Sequence, residues 1–546
     1  MSAWTACRLF FTPLAPIHIG TGVDYDPTNY VIEGEALYEF EVEALANVLS
    51  ADDRAAFSQL TERQPDDAML RAIQKFFYDR RFLLAQVAQR RLPVQPGVAT
   101  LYQQRVGQIA QQESRGRRII NQLAISRTAW NPVTGWPFLP GSSVKGAIRT
   151  ALLDQVNNGA SPLPHEEKGL HEFQGRLFRY AEPREEGRWK IVLERDPLRL
   201  IQLADAVWQG HADLPATDIA FALNKPKAST SGSPSSTSMT DSMLLQWLEC
   251  ISPFRYRAFA GQLTVHSMGN VTRPGKVPAE DMRFNMRQIA DACNRFYRPI
   301  LERELALLGA RKWIERDWEQ AITAVLNLDL FTQGHAFLLR VGRHSGAESV
   351  TVNGARRIAT RRGRRQPSKE ATEATTIWLA AKERNQETGL LPFGWLLVEY
   401  GPLDHEPMPD LVPLKQACER RLGPVRQWVQ RLHTQQAEWR RKGLTPANLP
   451  TRPRTATASS THCPWVDDKL AELCSKPGIK PDDALRGSAL AEAVRGIEDA
   501  TLRAQALADI VARWKEKNWW DHTTGGSAKK AKAIYEELIS QAQTAS

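Results

Sequence analysis

The stretch Pro140-Gly141-Ser142-Ser143-Val144-Lys145-Gly146 places two glycines, two hydroxyls and a lysine directly before a helical pattern, Ala147-Ile148-Arg149-Thr150-Ala151-Leu152-Leu153. Glycine accepts positive φ or close approach to a ligand, and Ser142 or Ser143 can cap the helix that follows. Backbone N–H groups gathered at a helix N-terminus attract phosphate. Lys145 and Arg149 stand four apart on one face and add charge, while Val144, Ala147, Ile148, Ala151 and Leu152 face a core. Gly141, Ser142, Ser143, Lys145, Gly146 and Arg149 are therefore candidates for clamping a nucleic-acid backbone. A nucleotide-triphosphate loop is excluded, because that motif ends Gly-Lys-Ser/Thr and here Lys145 precedes Gly146. An ordinary strand-to-helix turn with a capping serine fits the same residues.

A second candidate lies near the N-terminus, in Pro16-Ile17-His18-Ile19-Gly20-Thr21-Gly22. His18 can hydrogen-bond a phosphate or base, with Gly20 and Gly22 leaving room for an RNA backbone beside a strand end. A structural histidine at a strand-turn junction is the plainer alternative, and no partner acid or base at a meaningful spacing marks His18 as catalytic. Asp24 and Asp26 follow, and a turn-forming role before Pro27 is more ordinary than metal binding. The densest basic run comprises Arg340, Arg343, His344, Arg356 and Arg357, then Arg361, Arg362, Arg364 and Arg365. Phosphate contact is its natural chemistry, and a solvated loop is the alternative. Trp136, Trp378 and Trp395 can stack on splayed bases but fit core packing better.

Lys and Arg number 71 against 61 Asp and Glu, a formal charge of +10 that favours a polyanionic partner. At 546 residues with 16 Trp, the chain can build two to four domains, or one large domain with insertions. No apolar run is long enough to span a bilayer, and the opening MSAWTACRLFF lacks a secretory pattern, so a cytoplasmic protein without a membrane role is expected. The six cysteines show neither CxxC nor a disulfide framework, and His462, Cys463 and Cys474 lack the paired short spacings of a structural zinc site. No metal or cofactor is expected.

Pro-Gly-Ser-Ser-Val-Lys-Gly with its Ala-Ile-Arg-Thr-Ala-Leu helix resembles the hallmark of the RAMP superfamily of CRISPR proteins. Pro16–Gly22 resembles the opening motif of the fifth-subunit family of the type III-A (Csm) CRISPR interference complex, and Leu338-Leu339-Arg340-Val341-Gly342-Arg343-His344-Ser345-Gly346-Ala347-Glu348-Ser349 is a third similar block. With Phe393-Gly394-Trp395 closing the sheet, the likeness runs roughly from residue 5 to residue 400. It implies an α+β fold with a ferredoxin-like (RRM-like) core. It also implies a non-catalytic subunit of an antiviral ribonucleoprotein that caps the 3′ region of the guide RNA (crRNA), beside Csm backbone and small subunits, with target RNA as a further partner. A guide-processing endoribonuclease using His18 or His344 is one rival, although such enzymes carry their glycine-rich loop near the C-terminus. A scaffold with little RNA affinity is the other.

The elements that would position these residues begin with strands and a hairpin, Asn29–Ile32 and Ala36–Phe40 around Glu33-Gly34, followed by helical spacing at Val42, Leu45, Ala46 and Leu49. A core domain is expected over 1–405. It carries a helical insertion lying over the sheet at about 52–92, a flexible Ser/Thr/Pro-rich loop at about 224–241 and a helical insertion at about 281–325. Strands are expected at Ala336–Val341, Thr376–Leu379 and Gly394–Tyr400, with a hairpin at Asn353-Gly354. Residues 406–445 read as a basic helical segment interrupted at Gly423-Pro424, 446–463 as a linker, and 464–546 as a domain of three or four short helices whose Trp519-Trp520 marks a docking surface.

Overall fold

The structure is a computed structural model. It describes residues 4–544 except 42–44, 46–47, 65, 108–122, 162–169, 185–188, 229–245, 268–275, 361–368, 404–409, 444–462, 475–479 and 498–499. The expected segments 361–365 and 446–461, most of the 42–49 helix and most of the 224–241 loop lie outside the described residues. The chain divides into two compact units, residues 1–131 with 135–449, and residues 132–134 with 450–546.

The larger unit is mixed α and β. Strand Trp4–Pro13 alternates, burying Cys7, Leu9 and Phe11, and pairs antiparallel with Phe259–His266 on one side and Trp395–Pro402 on the other. Ala336–Arg340 extends this sheet beyond Trp395–Pro402, while Ile201–Leu203 and Ala206–Trp208 extend it beyond Phe259–His266. Helices Gly141–Asn157 and Met286–Ala310 pack together and against this sheet, joined where the Tyr297 hydroxyl donates to the Ala147 carbonyl at 3.0 Å. The longer helix starts at a capping box between Asn285 and Gln288 and turns Ile289, Cys293, Tyr297, Ile300 and Leu301 inward at three- and four-residue spacing.

A second, six-stranded sheet runs Leu391–Pro392, Thr376–Ala381, Thr217–Pro226, Gln246–Ile251, Ile125–Thr128, Gly20–Tyr25. The expected hairpin forms as Tyr30–Glu33 and Ala36–Glu39, and Arg90–Pro93 joins it as a third strand.

Three expectations need correction. The insertion at 52–92 is helical only over Ala51–Thr61, Asp67–Asp79 and Arg81–Val87, because Arg90–Pro93 is a strand; the helices do lie over a sheet, the small three-stranded one of Tyr30–Glu33, Ala36–Glu39 and Arg90–Pro93. Phe76, Phe77 and Leu84 build a separate core with Val31, Tyr38, Phe40, Trp428, Leu432 and Trp439. Asn353-Gly354 makes a turn rather than a hairpin, its Gly354 at φ +82 set tightly against the Gly159 and Ala160 carbonyls. Val412–Arg441 is one continuous helix despite Pro424. Proline removes one intrahelical hydrogen bond, and the buried stripe Leu414, Cys418, Leu422, Trp428, Leu432 and Trp439 holds both halves in place.

The smaller unit contains five described helices rather than three or four, Pro464–Cys474, Pro481–Leu485, Ser488–Arg495, Ala500–Glu516 and Gly526–Thr544, of which the last two are long. Its core gathers Val466, Leu490, Val494, Ile510, Trp514, Ala531 and Tyr535. Trp519 and Trp520 are partly buried against that core, with Arg486 and Lys517 over the Trp519 ring and Lys532 over Trp520. Among the described residues no helix is long and apolar enough to cross a membrane.

Candidate nucleic-acid interface

Three stretches far apart in the chain meet at the main chain beside His18. The Arg343 amide donates to the His18 carbonyl at 2.7 Å, the Gly394 amide to the Pro16 carbonyl at 2.9 Å, and the Val341 amide to the Gly394 carbonyl at 2.9 Å. Such close crossing needs glycine twice. Gly342 sits at φ +84, where a Cβ would strike the His18 carbonyl, and Gly394 at φ +90, where one would strike the Val341 carbonyl. Strand Gly20–Tyr25 then emerges with Gly20, Thr21, Gly22, Val23 and Asp24 exposed and Gly22 at φ +80 in open space.

His18 itself is fully buried. Its Nδ1 donates to the Glu249 carbonyl at 2.7 Å, which leaves the lone pair on Nε2; that atom is buried beneath Gly20 and accepts no hydrogen bond. Burial lowers the imidazole pKa, against the opposing Glu249 carbonyl and with added push from Arg343, so the ring is neutral near pH 7. The Glu249 carboxylate is also fully buried and holds the neighbouring strands. It accepts from Arg90 (2.9 Å), the Thr217 hydroxyl (2.8 Å), the Tyr25 hydroxyl (3.0 Å) and the Thr128 amide (3.2 Å).

The basic block splits by burial. Arg343 is exposed on the outer side of the crossing. Arg340 is buried, its Nη2 2.8 Å from Glu304 Oε1 and its Nε donating to the Phe393 carbonyl; Glu304 Oε2 in turn accepts from Trp395 Nε1. Arg356 is buried as well and binds Thr351, Glu348 and Asn353 within its own loop. Both side chains are therefore taken up by the protein, and their expected phosphate contact is withdrawn. Arg357 remains exposed, 3.8 Å from Glu370. His344 is half-buried, stacks on Trp378 at 4.2 Å, and has its pKa held down to about 3 by burial, Arg343 and His18.

The Gly-Ser loop also differs from expectation. The helix begins at Gly141, with Ser142 and Ser143 inside its first turn, so neither serine caps it. The Gly141 amide donates instead to Asp205 Oδ1 at 2.7 Å, and Gly141 lies tight against the Leu203 and Ala204 carbonyls. An anion from the chain itself thus holds the place proposed for phosphate. Arg149 is tied to Asp196 (2.8 Å), Gln174 and Tyr180. Ser142 and Gly146 are exposed and Lys145 is partly so, its pKa lowered by burial against the pull of Asp196, with Arg149 adding to the fall.

The structure therefore brings together His18, Gly20, Gly22, Arg343 and His344, and leaves Ser142, Lys145 and Gly146 on the separate helix start. Sequence reasoning missed Glu249 and Arg90. A lone carboxylate in the apolar run Trp247-Leu248-Glu249-Cys250-Ile251 is the signal that could have found the first, because a buried charge requires partners. Among the described residues no group of three His, Cys, Asp or Glu is placed to hold a metal.

No protein-family model and no curated protein matches the chain. Among the solved structures similar to it are two of Csm proteins. One is the crystal structure of T. onnurineus Csm5, at 16% sequence identity and TM-score 0.42, covering 71% of this chain and 99% of that one. The other is the cryo-EM structure of a Csm-crRNA-target RNA ternary complex of a type III-A CRISPR-Cas system, at 16% identity and TM-score 0.42, covering 72% and 100%. The solved structures that this chain resembles thus include a Csm5 protein and a type III-A Csm complex.

Proposed function

We propose that the chain is a non-catalytic RNA-binding subunit of a Csm-type complex, holding the 3′ region of the guide beside neighbouring backbone and small subunits. The observation that carries this reading is the convergence at His18. The two family-like blocks at Pro16–Gly22 and Leu338–Ser349 and the Phe393-Gly394-Trp395 segment interlock through main-chain hydrogen bonds, and they present an exposed glycine strand beside exposed Arg343. Exposed backbone and a cation suit a sequence-independent grip on phosphates. The ferredoxin-like reading is supported by the strand order Trp395–Pro402, Trp4–Pro13, Phe259–His266, Ile201–Leu203, all antiparallel. The helices Gly141–Asn157 and Met286–Ala310 fall between strands as a β-α-β-β-α-β path requires.

The absence of catalysis is inferred from the two histidines. A general base works best with a pKa near the working pH, whereas His18 is sealed from solvent and His344 is held down to about 3. The test is titration of labelled single-stranded guide RNA with the full chain across a salt series, the RNA then being scored for integrity. Intact RNA and an affinity that falls steeply with salt are expected, and Arg343→Ala should reduce the log–log slope by about 0.7. Cleavage abolished by His18→Ala would replace this reading with the endoribonuclease, and no binding at low salt would replace it with the scaffold.

A further inference from the structure

Strand Thr376–Ala381 runs antiparallel to Thr217–Pro226 with Trp378 opposite Asn224, and Gln246 stands opposite Ala222 on the other neighbour. Directly opposed residues, and residues two apart, share a sheet face, so Asn224, Gln246 and Trp378 occupy one face. Further along that face Ala222, Leu248, Cys250 and Ala380 close a small dry core with Phe393. Towards its end the character changes, for Asn224, Gln246, Trp378 and His344 are all only partly buried.

His344 lies on this face. Its ring is nearly parallel to the Trp378 ring, 4.2 Å away at 23°, and its Nε2 is 3.1 Å from Gln246 Oε1. His344 has φ +65, in the left-handed region that a non-glycine residue rarely adopts, and strain of that kind gathers at binding sites. Beside the stacked pair, Asn224 Oδ1 is buried and accepts no hydrogen bond. A packed core would have no use for an unmet acceptor, whose desolvation is a cost. An aromatic platform, a free acceptor and the exposed Arg343 next in sequence are what an unpaired nucleobase with its phosphate requires.

We propose that Trp378 and His344 form a stacking platform for one unpaired RNA base, with Asn224 Oδ1 accepting a hydrogen bond from the base's exocyclic amine. The proposal rests on the RNA-binding reading above and names the part of the RNA that this site takes. Adenine, cytosine and guanine carry such an amine and uracil does not, so the site favours amine-bearing bases.

The experiment titrates the full-length chain with equal-length oligo(rA), oligo(rC) and oligo(rU) over a salt series, using wild type, Trp378→Ala, Trp378→Phe and Asn224→Ala. Stacking releases no counterions, so Trp378→Ala should weaken rA and rC binding roughly 5- to 150-fold at every salt concentration without changing the slope. Trp378→Phe should keep most of the affinity, and Asn224→Ala should erase the preference for rA and rC over rU. If folded Trp378→Ala binds like wild type, the platform is wrong while the RNA-binding reading stands. If Trp378→Ala does not fold, the base preference of wild type against Asn224→Ala decides, and equal binding of the three RNAs by wild type overturns the proposal. Wild type that binds none of them removes both readings.

Discussion

Arg340 and Arg343 are three residues apart in one basic block, yet their environments assign them opposite tasks. Arg340 is almost wholly buried against Glu304 and the Trp395 ring. Truncating it leaves the Glu304 carboxylate unpaired in the core, which typically costs about 3–5 kcal/mol. Arg340→Ala should therefore lower the urea midpoint strongly, and where the variant stays folded its RNA salt slope should match wild type. Arg343→Ala should move stability by no more than about 0.5 kcal/mol, the range usual for exposed positions, while reducing the salt slope. His344 adds a pH dependence. Its pKa is about 3 in the folded chain, below the ordinary 6.5, so the unfolded chain takes up a proton as pH falls below about 6.5 while the folded one does not. The stability that His344 supports is complete above pH 6.5 and is lost as pH drops towards 3. His344→Phe, which keeps an aromatic ring without the titration, should flatten the decline of the urea midpoint between pH 6.5 and 4.

At the scale of elements, the crossing beside His18 depends on glycines that differ in what surrounds them. Gly342 combines positive φ with the His18 carbonyl where a Cβ would stand, whereas Gly22 has a similar φ with nothing near it. Left-handed backbone costs an L-residue about 1–2 kcal/mol, and overpacking adds about 1–3 kcal/mol. Gly342→Ala should thus destabilise by about 2–5 kcal/mol and Gly22→Ala by only about 1–2 kcal/mol, measured by urea denaturation. That contrast also shows what sequence can carry. The hairpin around Glu33-Gly34, the strand expected at Ala336–Val341 and the helical pattern at 281–325 rest on local signals, and all three are present. The convergence of residues 16–18, 341–343 and 394 has no local signal, since each partner is hundreds of residues from at least one other. For the same reason the sequence offered Arg149, Arg340 and Arg356 as phosphate ligands. Their carboxylate and carbonyl partners, Asp196, Glu304 and Phe393 among them, are brought near by the fold alone, apart from those that Arg356 finds in its own loop.

Over the whole molecule, the chain has built more than one apolar core, and the helical one at the C-terminal end is self-contained in composition. Among the described residues, every buried member of that core lies between Cys463 and Leu538. At its centre Trp514 is fully buried, its Nε1 donating to the Leu485 carbonyl at 3.0 Å and its ring edge-on to Tyr535 at 5.8 Å. Domains of this size bury only about 60% of their unfolded surface, so one large side chain carries a sizeable share of the stability. Removing a buried tryptophan costs about 3–5 kcal/mol, comparable with the whole stability of a single small core. A fragment comprising residues 460–546 should therefore fold by itself, with a cooperative thermal transition and a near-ultraviolet dichroism signal from its tryptophans. The same fragment with Trp514→Ala should lose both, and Trp514→Phe should retain a transition at lower temperature. A fragment without cooperative melting would show that this helical core needs the rest of the chain, and the division into two folding units would then be wrong.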